Sequence, residues 1–373
     1  VNETDGYTAN TQPDYAIGDD ITYQLTSTIP VYTGYDINSD NPALGRVFKI
    51  TDTASQGITI DASSSVVSVK VGDTTLSATK DYTVSVSSVT DTTGDYVSGK
   101  SLVIDLANYV NQATGSTSET SGIDEGATVT VIVKGTLNVS ALRSTVGDLQ
   151  ANPNKVELTY SNKPEDVQHA HTIPGPEVPV YTYDVTLHKT DKARTVNLSG
   201  AKFIVQATSG TGHNGEYLGT YDSASGWSYI SSSPTAGSVS GVFTTGDGGE
   251  LKLEGLDSGT YTITEIEPPA GYTAISLPSF TFTIAPTVGD NPSDSALTAD
   301  GYHGISVISY GVSDNDERVS EDGSTINVWN AKNLTQLPMT GAAGIALFSV
   351  VGALLVAAAA VFGIRSRKAS RQA

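Results

Sequence analysis

The chain contains no cysteine among its 373 residues. This absence excludes disulfide bonds, zinc-thiolate sites and a cysteine nucleophile within the protein itself. Basic residues are also scarce, with 20 Lys and Arg against 40 Asp and Glu and a formal net charge of −20. Because such a surface repels phosphate groups, nucleic acid and anionic lipid are not expected partners.

Motifs for catalysis on a separate substrate are missing as well. The sequence has no paired-carboxylate, Ser-His-Asp or nucleotide-binding motif, so it predicts neither an enzyme nor a cofactor. His169 and His171 are spaced as metal ligands can be, but no third ligand accompanies them. A metal site is therefore not expected.

Alternation of apolar and polar residues dominates the sequence before residue 337. Tyr23, for example, lies between Ile21 and Leu25 at every second position, with polar residues between them. Such short runs separated by Gly-rich turns predict an all-β fold of Ig-like β-sandwiches. The proline-rich stretch 173–179 predicts a stiff linker. We therefore expect two tandem sandwich domains, residues 1–178 and 179–336.

Residues 337–373 form a third segment with a different pattern. Residues 342–364 carry no charge, and basic residues follow at Arg365, Arg367, Lys368 and Arg371. As a helix this run can cross a hydrocarbon core of about 30 Å, so the sequence predicts a C-terminal transmembrane helix. By the positive-inside rule the residues before it lie outside the cell. A simple membrane tail anchor is one explanation.

Three predicted strands of the second domain each place a reactive polar residue on an apolar face. Lys189 follows apolar residues at every second position, and Glu265 and Asn330 do the same in two later strands. A desolvated lysine amine is nucleophilic when neutral, and a protonated glutamate can polarise a carboxamide. The three residues could form an amide bond with loss of ammonia. The alternative is a buried ion pair with an asparagine at a strand end.

The C-terminal segment resembles the sorting signal of Gram-positive wall-anchored proteins. Leu337, Pro338, Met339, Thr340 and Gly341 stand directly before the apolar run. The resemblance implies that a membrane-bound sortase cleaves between Thr340 and Gly341 and transfers the acyl group to an amine. That amine belongs either to peptidoglycan or to a lysine of another subunit. The resemblance therefore implies an extracellular, cell wall-anchored protein that inserts in the membrane only transiently.

Residues 181–205, 243–272 and 326–333 resemble a collagen-adhesin B-type domain of Gram-positive pilins, as in SpaA- and SpaH-type major pilins. The middle block has the family's glutamate box, although Ile266 to Pro268 depart from its usual residues. The resemblance implies an intramolecular isopeptide bond between Lys189 and Asn330, with Glu265 as the catalytic residue.

Residues 17–23 and 158–162 resemble the preceding, collagen-adhesin A-like module of the same pilins. This resemblance implies a lysine–asparagine bond assisted by an aspartate, with Asp52 as the catalyst and Asn154 or Asn162 as the acceptor. Residues 1–48 contain no lysine, and Lys49 has the opposite parity to Asp52. We therefore expect the donor lysine upstream of Val1, or no bond in this domain.

The resemblance implies a structural subunit, the backbone pilin of a sortase-assembled pilus. Its expected partners are the sortase, other pilin subunits joined covalently, and peptidoglycan. Such subunits usually carry a joining lysine in a Tyr-Pro-Lys-like motif, which this sequence lacks. Lys155 and Lys163 are poor substitutes.

The alternative function is a wall-anchored adhesin or basal pilin that binds host glycans or matrix proteins. Trp227, with Tyr217, Tyr221 and Tyr229, would form its binding surface. Packing in a core explains the same aromatic residues.

Overall fold

The computed structural model describes residues 2–4, 14–61, 65–112, 125–288, 305–313 and 317–337. Within these ranges the fold is all-β, which confirms the predicted fold class, and the one α-helix is the single turn α1 (Ala107–Val110). Single-turn 3-10 helices occupy Pro42–Leu44 and Leu334–Gln336. No helix in the described part is long and apolar enough to cross a membrane. The predicted span at 342–364 lies outside it.

The N-terminal half, residues 2–180, contains two antiparallel sheets among its described residues. Its strands are β1 (Asn2–Thr4), β2 (Asp20–Thr28), β3 (Phe48–Ala54), β4 (Ile58–Thr59), β5 (Val66–Val71), β6 (Thr74–Thr75), β7 (Thr83–Ser88), β8 (Lys100–Asp105), β9 (Thr128–Leu137), β10 (Asn152–Ser161) and β11 (Ala170–Val180). One sheet has the order β1-β2-β9-β5-β6 with β4 on β9, and the other has the order β11-β10-β3-β8-β7.

These two sheets face each other across one apolar core. Ile21, Tyr23 and Leu25 of β2 are fully buried and pack in the same cluster as Phe48 and Ile50 of β3. The residues between them on β2 point away from the core, as a period of two requires. The alternating pattern therefore produces a β-sandwich.

The C-terminal half, residues 181–337, also contains two sheets among its described residues. Its strands are β12 (Tyr183–Asp191), β13 (Lys202–Ser209), β14 (Tyr217–Asp222), β15 (Gly226–Ile230), β16 (Phe243–Thr244), β17 (Glu250–Leu256), β18 (Gly259–Glu267), β19 (Ser279–Val288), β20 (Ile305–Ser313), β21 (Val319–Asp322) and β22 (Thr325–Asn330). One sheet has the order β17-β12-β22-β21, and the other β15-β14-β13-β18-β19-β20 with β16 on β13. Strands β12 and β22 run parallel to each other.

The proline-rich stretch 173–179 is not a linker, so that prediction was wrong. It belongs to β11, which pairs with β10 from Ala170 to Val180. β11 is the last strand of its sheet, and an edge strand tolerates prolines because one of its sides needs no backbone donors. The residue proposed as a boundary, Val178, is 1% exposed in the core of the N-terminal half.

A short segment before β2 contacts the C-terminal half. The Tyr15 amide donates to the Tyr181 carbonyl at 3.1 Å, and the Ile17 amide donates to the Gly255 carbonyl at 2.9 Å. The Trp227 amide donates in turn to the Ile17 carbonyl at 2.9 Å. Gly226 has a φ of +81°, and a Cβ there would lie 2.3 Å from the Ile17 carbonyl oxygen. Only glycine fits at this contact.

Candidate functional site

Lys189 is the last buried residue on the inward face of β12, and it is completely buried. Tyr183, Val185 and Leu187 precede it on the same face and are buried in the same core. The period of two that places these apolar residues inward also places the lysine inward. An amine in such surroundings needs polar partners, because burial without them costs several kcal/mol.

Asn330 reaches the same point from the neighbouring strand. In the parallel pair, Lys189 lies opposite Val328 and Asp191 lies opposite Asn330. Ile326, Val328 and Asn330 are all buried on one face. Asn330 therefore shares the face of Lys189 and lies two residues further along the strand.

Glu265 comes from β18 in the facing sheet, where Tyr261 and Ile263 share its buried face. Its Oε2 accepts from Lys189 Nζ at 2.8 Å, and its Oε1 accepts from Asn330 Nδ2 at 2.6 Å. Lys189 Nζ also donates to Asn330 Oδ1 at 2.5 Å. The three side chains form a closed hydrogen-bonded triangle.

The triangle is shielded from solvent. Glu265 and Asn330 are each 2% exposed. The Phe203 ring of β13 lies beside the amine, with Lys189 Nζ 5.6 Å from the ring centroid. With an amine, a carboxamide and a bridging carboxyl group in contact, the site has the components for an amide exchange that releases ammonia.

The N-terminal half contains a second buried carboxyl–carboxamide pair. Asp52 of β3 and Asn154 of β10 are both fully buried, and Asn154 Nδ2 donates to Asp52 Oδ1 at 2.6 Å. Asp52 Oδ2 has no hydrogen-bond partner among the described residues. Burial raises the pKa of Asp52 from its ordinary 3.8 to about 7, although the hydrogen bond from Asn154 acts in the opposite direction.

Two other residues considered for this second site are elsewhere. Asn162 follows the end of β10 and is exposed, where its Oδ1 is 2.7 Å from His169 Nδ1. Lys49 forms an ion pair with Asp105 at 2.9 Å near the surface. The structure thus brings Asn154 to Asp52 and brings neither Asn162 nor Lys49 there.

Leu337 is the one residue of the sorting motif within the described ranges. It is 5% exposed and packs in a small cluster with Trp329, Ala331 and the partly buried Leu334. Residues 338–341, including Thr340, lie outside the described part. The sequence pattern gave no sign of this cluster except for Trp329, an aromatic residue at an outward-facing position of β22.

The central residue of the aromatic surface suggested for an adhesin is buried, and Tyr217, Tyr221 and Tyr229 around it are partly buried. Trp227 is 8% exposed in the core of the C-terminal half, and its Nε1 donates to the Glu254 carbonyl at 2.8 Å. Tyr221 packs edge-on against it. The Tyr229 ring stacks on His213, with centroids 3.4 Å apart. These rings have packing roles, and the expectation of a binding surface at Trp227 was wrong.

Sequence reasoning also missed His213 at the junction of the two halves. Its Nε2 is 2.9 Å from Asp19 Oδ1 of the N-terminal half, and its Nδ1 is 2.9 Å from Glu216 Oε2. Burial alone would lower the pKa of His213, but the hydrogen bonds to Asp19 and Glu216 outweigh it and raise the pKa. Asp19 and His213 are far apart in the sequence, so no local pattern could have revealed this contact.

Comparison with protein families identifies two segments. Residues 183–291 match the SpaA prealbumin-like fold domain, which includes Lys189 and Glu265. Residues 330–370 match the LPXTG cell wall anchor motif of Gram-positive bacteria. The protein is thus an LPXTG-anchored, extracellular protein attached to the cell wall. No curated protein matches the sequence.

Two solved structures are similar to the chain. The 35 kDa C-terminal fragment of the major pilin GBS80 of Streptococcus agalactiae is 21% identical, with a TM-score of 0.52 over 82% of this chain and 96% of that fragment. Domains D2 and D3 of the major pilin SpaD from Corynebacterium diphtheriae are 22% identical, with a TM-score of 0.42 over 70% of this chain and 82% of theirs. At this identity the first likeness establishes a common fold.

Proposed function

We propose that the chain is a structural subunit, the backbone pilin of a sortase-assembled pilus, which is braced by an isopeptide bond and joined through Thr340. The observation that carries the proposal is the buried triangle of Lys189, Glu265 and Asn330 in a chain that ends in a wall-anchor motif. A protein without cysteine gains from such a bond the covalent closure that disulfides give to other exported proteins.

The proposed reaction uses both oxygens of Glu265. The Lys189 amine transfers a proton to Oε2, which is 2.8 Å away, and the neutral nitrogen attacks the side-chain carbonyl carbon of Asn330. The carboxyl group then delivers a proton from Oε1 to the departing nitrogen, 2.6 Å away. As the new C–N bond forms, the attacking nitrogen loses its second proton to the Glu265 carboxylate, and the C–N bond to the departing nitrogen breaks. That nitrogen takes the surplus proton and leaves as ammonium, so Glu265 ends as the carboxylate from which it began.

The bond would close a long loop between β12 and β22. By the chain-entropy estimate, a loop of this length restricts the unfolded chain by about 5 kcal/mol. Because the two strands are already neighbours in the sheet, the bond requires little rearrangement of the backbone.

For the N-terminal half we propose that Asp52 and Asn154 are the catalyst and acceptor of a second bond. Asp52 makes no hydrogen bond or ion pair with a lysine among the described residues.

The covalent partners follow from the anchor motif. A sortase would form an acyl-enzyme at Thr340, release the segment from Gly341 onward, and pass the acyl group to an amine. For a pilus shaft that amine is a lysine of another subunit, and for the last subunit it belongs to peptidoglycan.

The test of the bracing bond is the intact mass of the full chain in denaturant. We expect a deficit of one ammonia, about 17 Da, relative to the sequence mass, because amide exchange expels the Asn330 nitrogen. A wild-type chain of full sequence mass would contradict the bond.

The test of the covalent joint is the Thr340→Ala chain expressed in a sortase-bearing Gram-positive host. We expect the variant to stay in the membrane fraction as a monomer, because the acyl-enzyme cannot form on the altered motif. Wall-linked ladders as abundant as those of the wild type would refute the assignment.

A further inference from the structure

The residues that precede the anchor motif are held on the folded C-terminal half by several contacts. The Thr273 amide donates to the Ala331 carbonyl at 3.0 Å, and Lys192 Nζ donates to the Gln336 carbonyl at 3.0 Å. The Lys332 amide donates to Gln336 Oε1 at 2.8 Å, which closes the 3-10 turn on itself. The chain therefore does not leave the domain at the end of β22 but stays on it as far as residue 337.

Leu337 is the last residue of this docked segment. Its side chain is buried against Trp329, Ala331 and Leu334. Trp329 provides the main apolar surface, and its ring is fixed by a hydrogen bond from Nε1 to the Glu317 carbonyl at 3.1 Å. Lys192 Nζ lies 5.2 Å from the centroid of the same ring. The contacts with Glu317 and Lys192 therefore fix the Trp329 ring independently of Leu337.

One strand connects this cluster to the candidate bond. Trp329 and Asn330 are consecutive residues of β22, so their side chains point to opposite faces. Asn330 contacts Lys189 and Glu265 in the core, while Trp329 holds Leu337 outside it. Anything that fixes β22 also fixes the surface on which Leu337 is docked.

An enzyme that reads the anchor motif has to contact Leu337, the first residue of the motif. A buried side chain cannot occupy the domain surface and an enzyme groove at once, so the two contacts compete. We propose that Trp329 is a positioning residue for the sortase reaction: it holds Leu337 in a docked state that the enzyme must displace. This inference rests on the proposed function as a sortase substrate.

Competition of this kind has a distinct kinetic signature. Only the undocked fraction of molecules can bind the enzyme, so KM rises by the reciprocal of that fraction while kcat is unchanged. Burial of one leucine in a small apolar cluster is weakly favourable, so we expect about one tenth of the molecules to be undocked. The KM of the full chain should therefore be about tenfold above that of an unstructured motif.

The experiment compares the full chain in detergent with a free peptide of residues 334–343. The enzyme is the catalytic domain of a sortase that is first shown to cleave this peptide. Hydroxylamine serves as the amine that accepts the acyl group. Release of the segment after Thr340 gives kcat and KM for both substrates. We expect the same kcat and a KM about tenfold higher for the full chain.

Two variants of the full chain should remove the difference. Trp329→Ala empties the docking surface, and a Gly-Ser-Gly-Ser insertion between Gln336 and Leu337 frees the motif without changing Trp329. Both should lower KM to the peptide value. Trp329→Phe preserves the apolar ring and should keep the wild-type KM, and Val239→Ala, at a fully exposed position, is the matched control. The ammonia deficit of each variant reports that its core has assembled.

The outcomes separate the two proposals. Equal KM values for the wild type, the insertion variant and the peptide would overturn docking and leave the sortase assignment intact. If sortases cleave neither the peptide nor the full chain, the proposed function fails and the docking proposal that rests on it fails as well. A lower KM for the insertion variant with an unchanged KM for Trp329→Ala would also overturn the role of Trp329.

Discussion

The two halves of the molecule each bury a carboxyl group against an asparagine, but only one of them adds a lysine. In the C-terminal half, both oxygens of Glu265 accept hydrogen bonds, from Lys189 and Asn330. In the N-terminal half, Asp52 has one such bond, from Asn154, and its second oxygen has no hydrogen-bond partner among the described residues. A carboxyl group in the second situation favours its neutral form, because burial is not offset by a positive charge.

The geometry of the two sites differs as well. Glu265 faces Lys189 and Asn330 from the opposite sheet, so the C-terminal site connects two sheets. Asp52 and Asn154 lie on adjacent antiparallel strands of one sheet, with Asp52 opposite Val156. The comparison shows that a buried acid–amide pair arises from strand parity alone, whereas a complete site needs a third strand in the correct position.

The largest expected effect on the difference between the two sites is that of Glu265→Ala. Without the proton carrier the bond should not form, so the chain should regain the full sequence mass and lose about 5 kcal/mol of unfolding free energy. Both tryptophans of the chain lie in the C-terminal half, so Trp fluorescence in urea reports on that half alone.

The matched control is Glu267→Ala on the same strand, which removes only a partly exposed ion pair with Lys202. It should keep the ammonia deficit and change the stability by less than about 1 kcal/mol. A Glu265→Ala chain that still lacks one ammonia would show that Glu265 is not the catalyst.

The next largest effect concerns Asp52→Asn and pH. The pKa of Asp52 is raised to about 7 in the folded state from an ordinary 3.8, so the folded state holds the extra proton between these values. Its stabilising effect is complete below pH 4 and is lost as pH rises through about 7, by at most about 4 kcal/mol. Asp52→Asn should flatten this dependence.

The measurement is urea unfolding from pH 4 to pH 8 by far-UV circular dichroism, with Trp fluorescence as the internal reference. The change should appear in the N-terminal transition and not in the Trp transition. Asp105→Asn, which lies in the same sheet but is partly exposed, is the control. An unchanged pH slope in Asp52→Asn would mean that Asp52 is ionised in the folded state throughout.

A smaller effect is expected at the junction between the halves. The raised pKa of His213 means that its interactions with Asp19 and Glu216 stabilise the protein below pH 6.5, and that this contribution is lost as pH rises through the folded-state value. His213→Gln should therefore lower the unfolding free energy by about 1 kcal/mol at pH 5.5 and by almost nothing at pH 9.

The control for His213 is His188→Gln, since His188 is only partly buried and its ring is hydrogen-bonded to the side chain of Asn197. Urea unfolding at the two pH values gives both numbers. Equal losses at pH 5.5 and pH 9 would point to lost stacking on Tyr229 in place of lost charge pairing.

The last variant, Asn154→Ala, is expected to leave the mass of the bonded chain unaffected apart from the substitution itself. Asn154→Ala should leave the mass deficit at one ammonia, because Asp52 contacts no lysine in the part of the chain that the structure describes. Asn330→Ala should abolish the deficit. Mass spectrometry of both variants checks the comparison directly, and loss of the deficit in Asn154→Ala would place the reaction in the N-terminal half.

Strand parity explains what the sequence could predict of the site. Lys189, Glu265 and Asn330 each continue an alternating run, so their inward direction is a local property. Their meeting is not local, because the parallel pairing of β12 with β22 joins segments separated by most of the domain. The family resemblance supplied that step, which alternation alone could not.

The errors also have physical reasons. Asn162 has the same parity as Asn154, but β10 ends at Ser161, so the alternation no longer determines its direction. Prolines at 174, 176 and 179 suggested a linker because the sequence does not show that their strand lies at a sheet edge. Trp227 could have been exposed or buried, and its ring is buried by contacts with Tyr221 and Phe243, which the sequence does not show to be its neighbours.

The parallel pairing of β12 and β22 has a mechanical consequence. The chain enters β12 from the N-terminal half and leaves β22 toward Thr340, so the two attachment points lie at opposite ends of neighbouring strands. Tension along a fibre would shear these strands past each other and load their hydrogen bonds together. With Lys189 joined to Asn330, tension would cross from one strand to the other through a covalent bond. The intervening residues, with Glu265 among them, would then carry no load.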